Sequence, residues 1–491
     1  MPQLTVTMEE WKRAFRFSLA NAMAFLAFSL VLYFWEPDSL LILLSVPALF
    51  FLGAIVSFVL FVRNGGAFAA IAWFMLGSGV YFGLGVFVGG LAPEPGTVHY
   101  TFASVLYADL IRINLLNSSS VILVLVAAIP FAYAPRILKR IHTLGYQEMI
   151  RLLVKIFPLM TILAIAALGL QFLFFPVAAN LLVRTFVSSF YMIVLLCCLA
   201  LGMLRTRLEV HWRALGVSVF LSAFCFSLLS MSKLAAMSTL LAVVVGSWVH
   251  RRSIFSVTAG LLLIGALYVW IGGITNEGRL HRDYDAAENS ALTRFQILID
   301  TALDDSGEGG AVAGDTARGI VVPRTIGRFS VVAIQGYLME AYDQQTPGTS
   351  LDDFWVAAIP RVFWPDKPIV TRFGAELHME FWATPEASSA LAPTYNGEAY
   401  WNYGPVGVVI VSLLLGLQIG WLTYRWHITN RGLDPAFFLI AFPASLWAMF
   451  VENWIAASYI GGFLTIVVIW LCARLFFLKV SGGAQLRSPL G

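Results

Sequence analysis

The stretch FWVAAIPRVFWPDKPIV, residues 354–370, holds two cations, Arg361 and Lys367, on a backbone stiffened by prolines. Pro365 and Pro368 fix their own φ and push Trp364 and Lys367 into extended conformations. An arginine can grip a phosphate with two parallel hydrogen bonds, and a lysine adds a point charge. Asp366 sits between them, placed to pair with a neighbour and hold the geometry, and Trp364 offers a flat apolar face. This is the chemistry of an anion site beside a ring-stacking surface. A solvated loop in which the prolines only prevent helix formation is the open alternative. Upstream, Ser350 with Asp353 three residues on reads as a capping box. It predicts a helix over LDDFWVAAI that stops before Pro360.

A second group lies in APTYNGEAYWNYGPVG, residues 392–407. Glu398 has the type for a general base, and Asn402 falls one helical turn later. Glu340 and Asp353 are rival carboxylates. Tyr400 is placed to stack on a sugar, and aromatics mixed with amides and carboxylates are the usual material of a carbohydrate site. Tyr400, Trp401 and Tyr403 equally suit anchoring at a membrane interface. Arg324 and Arg328 stand four apart in RTIGRFS, on one face if that segment is helical. Lys233 occupies the short turn SMSK, where a lone base is costly unless it is used or snorkels. Arg112 and Arg184 have similar standing. Asp304–Asp305, Asp352–Asp353 and the His378–Glu380 pair are weak metal signals, so neither metal nor cofactor is expected.

These residues must be positioned by a chain built for lipid. Of 491 residues, 59% are hydrophobic and 12% charged, about half the charge of a soluble chain. Mean hydropathy is +0.80. Long apolar runs rather than alternating strands predict an all-α polytopic membrane protein. Candidate spans fall at about 16–35, 39–62, 67–91, 116–134, 153–175, 182–204, 214–231, 234–249, 254–274, 404–423, 435–451 and 460–478. With the N-terminus in the cytoplasm, basic residues gather in the inside loops across all twelve spans. Both termini are then cytoplasmic, and the first span reads as an uncleaved anchor. The four cysteines lie in apolar runs, which argues against a disulfide frame.

The organisation that follows is a bundle over 1–274, an extracytoplasmic loop over 275–403, and a last bundle with a cytoplasmic tail over 404–491. The loop carries 18 of the 28 acidic residues and 9 of the 31 basic ones, so chemistry is expected there. Within it, 291–303 and 325–342 have amphipathic helical spacing, suited to the membrane surface or the bundle. The Gly-rich, acidic stretch 302–319 is expected to be mobile. Nothing points to nucleic acid as a partner.

The order Ser232–Lys233, RTIGRFS, IPRVFWPDKP and NGEAYWNYGPVG resembles the bacterial oligosaccharide repeat-unit polymerases, the Wzy-like proteins of O-antigen and exopolysaccharide assembly. Their pattern is a PRxxWPxKP-like segment followed by a GExYxNFG-like one; here Tyr403 stands in place of the phenylalanine. The motifs cover roughly residues 232–410, and the first 200 residues match in hydropathy alone. The resemblance implies a GT-C-like fold of about twelve spans in the bacterial inner membrane. It implies undecaprenyl-pyrophosphate-linked oligosaccharide as substrate, and a flippase and a chain-length regulator nearby. Arg361, Lys367 and Arg328 would stabilise the leaving pyrophosphate, with Glu398 as base. Lys233, Arg324, Trp364, Asp366, Tyr400 and Asn402 would bind substrate. An O-antigen ligase shares the span count and large loop. A twelve-span secondary transporter is the rival from another class, although such proteins place charges or helix breaks at mid-membrane in matching halves.

Overall fold

The computed structural model describes residues 8–37, 39–63, 66, 68–87, 107–133, 146–173, 191–229, 233–251, 259–260, 262–267, 331–359, 364, 372–382, 391–429 and 435–485. The described chain is all-α. Its helices are α1 (Met8–Trp35), α2 (Leu40–Arg63), α3 (Ala70–Ser78, running on as a π turn Gly79–Leu84), α4 (Tyr107–Tyr133), α5 (Tyr146–Leu173), α6 (Tyr191–Leu204), α7 (Val210–Leu229) and α8 (Lys233–Arg251). After these come α9 (Val332–Asp343), a 3-10 turn (Phe354–Ala358), α10 (Arg372–Trp382), α11 (Tyr395–Thr429), α12 (Pro435–Met449), a π turn (Ile455–Gly462) and α13 (Phe463–Gln485).

Eight described helices are long and apolar enough to cross a bilayer, and three shorter apolar ones, in α6, α8 and α12, add to them. The protein is therefore a multi-pass membrane protein. In lipid the chain has no water to satisfy its amides, so each span closes its own hydrogen bonds as a helix. The candidate span at 254–274 lies mostly outside the described residues, as do the amphipathic stretch 291–303 and the Gly-rich stretch 302–319.

The chain forms two compact units, one from Met1–Gly145 with Ile326–Gly491, the other from Tyr146–Thr325. The second unit packs α5 to α8 around Phe157, Cys197, Cys198 and Leu199, all buried. In it the Tyr191 hydroxyl donates to the Ala235 carbonyl at 2.8 Å and contacts Thr239, tying α6 to α8. The first unit holds an aromatic core. Phe68 meets Trp426, Phe438 and Phe442 edge-on, and Trp73 meets Phe58 and Phe442 the same way. Lipid tails are as apolar as leucine, so helix pairs in a bilayer gain from close packing and interhelical hydrogen bonds rather than from burial. Gly416 shows the consequence: a Cβ there would lie within 2.7 Å of the Ala127 Cβ and strike the Val124 backbone. Its absence lets α11 run tightly along α4.

The stretch predicted as amphipathic at 325–342 is helical from Val332, and it packs on the bundle. Val332, Gln335, Gly336, Leu338 and Met339 are buried. Leu338 joins Phe373, Leu377 and Trp454 in an apolar cluster that seats α10 and the start of the π turn. At the rim of that cluster the Tyr337 hydroxyl donates to the Glu380 carboxylate, tying α9 to α10.

His378 is 7% exposed, and burial holds its pKa below the ordinary value of 6.5. A lowered folded pKa favours the neutral ring. The stability this contributes is complete above the unfolded value and is lost as pH falls through 6.5 toward the folded value. The melting temperature of purified protein is expected to drop between about pH 7.5 and about pH 5.5, the window around an ordinary histidine. In a His378→Gln variant that drop should flatten, and an undiminished drop would assign it to other groups.

Candidate functional site

The expected capping box over Ser350 and Asp353 does not form. Asp353 makes no side-chain cap, and the helix predicted over LDDFWVAAI is a five-residue 3-10 turn, Phe354–Ala358. The Ser350 hydroxyl is used elsewhere: it donates to Glu398 Oε1 at 2.8 Å. Glu398 is fully buried, and its other oxygen accepts the Ile455 backbone N–H at 2.6 Å. A buried carboxylate needs such donors, because desolvating the charge is costly. Ile455 opens the π turn, so the carboxylate also lies at a helix N-terminus, where partial positive charge favours it.

Asn402, one turn after Glu398, completes the cluster. Its Nδ2 donates to the Glu398 carbonyl at 2.8 Å and to Ser350 Oγ at 3.0 Å, and its Oδ1 accepts the Leu351 N–H at 3.1 Å. Ser350, Glu398 and Asn402 thus join the start of the 350–364 segment to the GEAYWNYG helix. Beyond the 3-10 turn, Trp364 stacks on Trp355 with ring centroids 6.0 Å apart and planes at 26°. Trp355 is 48% exposed, so the pair presents an open aromatic face.

Tyr400 lies on the other side of the same helix. Arg112 of α4 donates to Asp343 at 2.5 Å and to the Tyr400 hydroxyl at 3.4 Å, and Tyr400 donates to Asp343 at 3.3 Å. Arg112 is therefore a paired residue that ties α4, α9 and α11 together. Exposed pairs of this kind contribute about 0–1 kcal/mol.

Beneath both groups lies a fully buried polar network that sequence reasoning missed. Gln335 Nε2 donates to Asn117 Oδ1 and Thr394 Oγ1, each at 2.8 Å, and to Asn396 Oδ1 at 3.1 Å. Asn396 Nδ2 donates to Asn117 Oδ1 at 2.7 Å and Ser120 Oγ at 3.0 Å, and the Tyr395 hydroxyl reaches Ser120 at 3.1 Å. Thr394 caps the helix, its hydroxyl accepting the Gly397 N–H at 3.1 Å. A signal was present. Asn117 and Ser120 stand three residues apart within an apolar span, and polar side chains in such a span bond to a neighbouring helix.

The helix that carries Glu398 breaks at Tyr403 (φ −137°, ψ 16°) and Gly404 (φ 60°, ψ −151°). Pro405 then opens the long span, at the helix position where its missing N–H costs nothing. A Cβ on Gly404 would lie 2.5 Å from the Tyr342 ring, so the break brings the backbone against α9.

Of the other expected site residues, Arg361, Lys367, Asp366, Arg324 and Arg328 lie outside the described residues. Lys233 is the first residue of α8, in the second unit, and its side chain is likewise not described. Among the described residues no cluster of histidine, cysteine, aspartate or glutamate could hold a metal ion. No known protein family, curated protein or solved structure matches the chain.

Proposed function

We propose that this protein is a membrane glycosyltransferase that joins undecaprenyl-pyrophosphate-linked oligosaccharide repeat units into O-antigen or exopolysaccharide. On this reading it is a twelve-span, GT-C-like protein of the bacterial inner membrane, with both termini cytoplasmic and the site on the outer face. The observation that supports it most is the hydrogen bonding of the segment leading into one motif to the other motif. Ser350 and Leu351, which lead into the Pro-Arg-x-x-Trp-Pro run, are hydrogen-bonded to Glu398 and Asn402 of GEAYWNYG. The residues that precede one motif are thereby hydrogen-bonded to the other motif.

In the reaction a new bond forms between the donor's anomeric carbon and an acceptor hydroxyl. The bond from that carbon to pyrophosphate breaks, and undecaprenyl pyrophosphate leaves with the electron pair. Arg361 and Lys367, with Arg328, take up the charge that develops on the leaving group. Asp366 steadies the geometry of Arg361 and Lys367, and Arg324 and Lys233 are assigned to substrate binding by the resemblance alone. Glu398 takes the acceptor proton, which requires the acceptor hydroxyl to replace Ser350 at Oε1. Trp364 and Tyr400 stack on sugars, and Asn402 hydrogen-bonds to them.

Arg361→Ala tests this reading in cells whose only copy carries the change. Loss of high-mass polysaccharide is expected, with single lipid-linked units retained and protein level normal by immunoblot. A dead ligase would instead leave long lipid-linked polymer. Normal polymer in cells lacking the protein altogether would overturn the reading.

A further inference from the structure

The break in α11 creates a cavity of about 640 Å³, of whose lining the roles above use Asn402 alone. Tyr342, Gln345 and Pro347, at the end of α9 and in the turn beyond it, form one wall; Asn402, Tyr403, Val406 and Ile410 form the other. We propose that this groove binds the uncharged, hydroxyl-bearing head of a single-chain amphiphile, a glycolipid-like molecule whose chain lies along Val406 and Ile410.

Three observations carry the assignment. Val406 and Ile410 are 65% and 53% exposed and one turn apart, and the same strip continues through Leu414 and Leu417, which are also exposed. That strip is an apolar track from the groove along the bilayer-facing side of the helix. At the polar end the groove offers two amides, Gln345 and Asn402, beside the faces of Tyr342, Tyr403 and Pro347. Aromatic and proline faces suit the C–H face of a sugar ring, and amides suit its hydroxyls.

The described lining suits an uncharged head. None of the described lining side chains is charged. Two carboxylates adjoin lining residues: Asp352, hydrogen-bonded to Tyr403, and Asp343, next to Tyr342 in the chain. Arg112 is held by Asp343. A phosphate would meet carboxylates without a free cation among the described residues there.

The groove also reaches the buried carboxylate. Asn402 in its wall donates to Ser350, and Ser350 donates to Glu398. A hydroxyl seated in the groove is thus two side chains from Glu398. The inference rests on the glycosyl-transfer reading only for the physiological identity of the amphiphile, since its binding is measured without any donor.

The test uses the full chain in lipid nanodiscs and an alkyl maltoside with a photoreactive diazirine on its chain. Labelled peptides are mapped by mass spectrometry. Labelling is expected to concentrate at residues 403–410 and to fall by about tenfold with excess dodecyl maltoside, as a saturable site requires. Dodecylphosphocholine and dodecyl phosphate at the same concentration should compete poorly. Ile410→Trp, a change on an exposed face, should abolish the labelling with the melting temperature unchanged, and Val468→Trp, on an exposed face of α13, should leave it intact. Even labelling along all exposed helix faces would overturn the proposal, as would equal competition by the phosphate amphiphiles. Normal polymer in cells lacking the protein, with labelling of the purified chain intact, would instead count against the transferase reading alone.

Discussion

Glu398→Ala is expected to reduce the folded protein sharply, by on the order of 3 kcal/mol, because it leaves buried donors without an acceptor. The Ser350 hydroxyl and the Ile455 N–H both point at this carboxylate in a site closed to solvent. Yield of monodisperse protein and its melting temperature read the loss. Glu398→Gln separates the structural role from the chemical one. A glutamine oxygen can accept from Ile455 while its amide donates to Ser350, whose oxygen has a lone pair to spare beside the one that takes Asn402. That variant should fold nearly as well as the parent. If Glu398 is the base, polymer is lost in it; full-length polymer would leave Glu398 as a clamp between the two motif segments and nothing more.

Gly404→Ala is expected to be nearly as damaging for a different reason. The residue sits at φ 60°, ψ −151°, a region that residues with a side chain hardly enter. Strain of that kind costs about 1–3 kcal/mol. The added methyl also lies 2.5 Å from the Tyr342 ring, which itself packs edge-on against Tyr400 at 5.4 Å. Pairing the change with Tyr342→Ala should restore only part of the melting temperature, since the ring is removed and the backbone strain remains. Full restoration would show that the contact alone makes glycine necessary.

Much of this was legible in the residues themselves. Hydropathy places the apolar helices because lipid leaves the backbone no alternative to helix. The break at Gly404 is written in the order Tyr-Gly-Pro: proline opens a helix well and disfavours helical backbone in the residue before it. The nearness of Glu398 to Asn402 follows from their spacing of four once that segment is helical. Local chemistry misled at Ser350. A serine three residues before an aspartate can cap a helix, yet the same hydroxyl is drawn to a buried carboxylate 48 positions away. A carboxyl group deprived of water outweighs a local cap.

The sequence by itself determined that this is an all-α multi-pass membrane protein, because that depends on the residue types in short windows. Which polar groups meet was decided by the tertiary structure alone. Nothing local couples Asn117 to Gln335 and Asn396, Ile455 to Glu398, or Arg112 to Asp343. In an apolar medium each such group must find its partner among whatever the packed helices bring close. That set depends on helix contacts made across hundreds of residues.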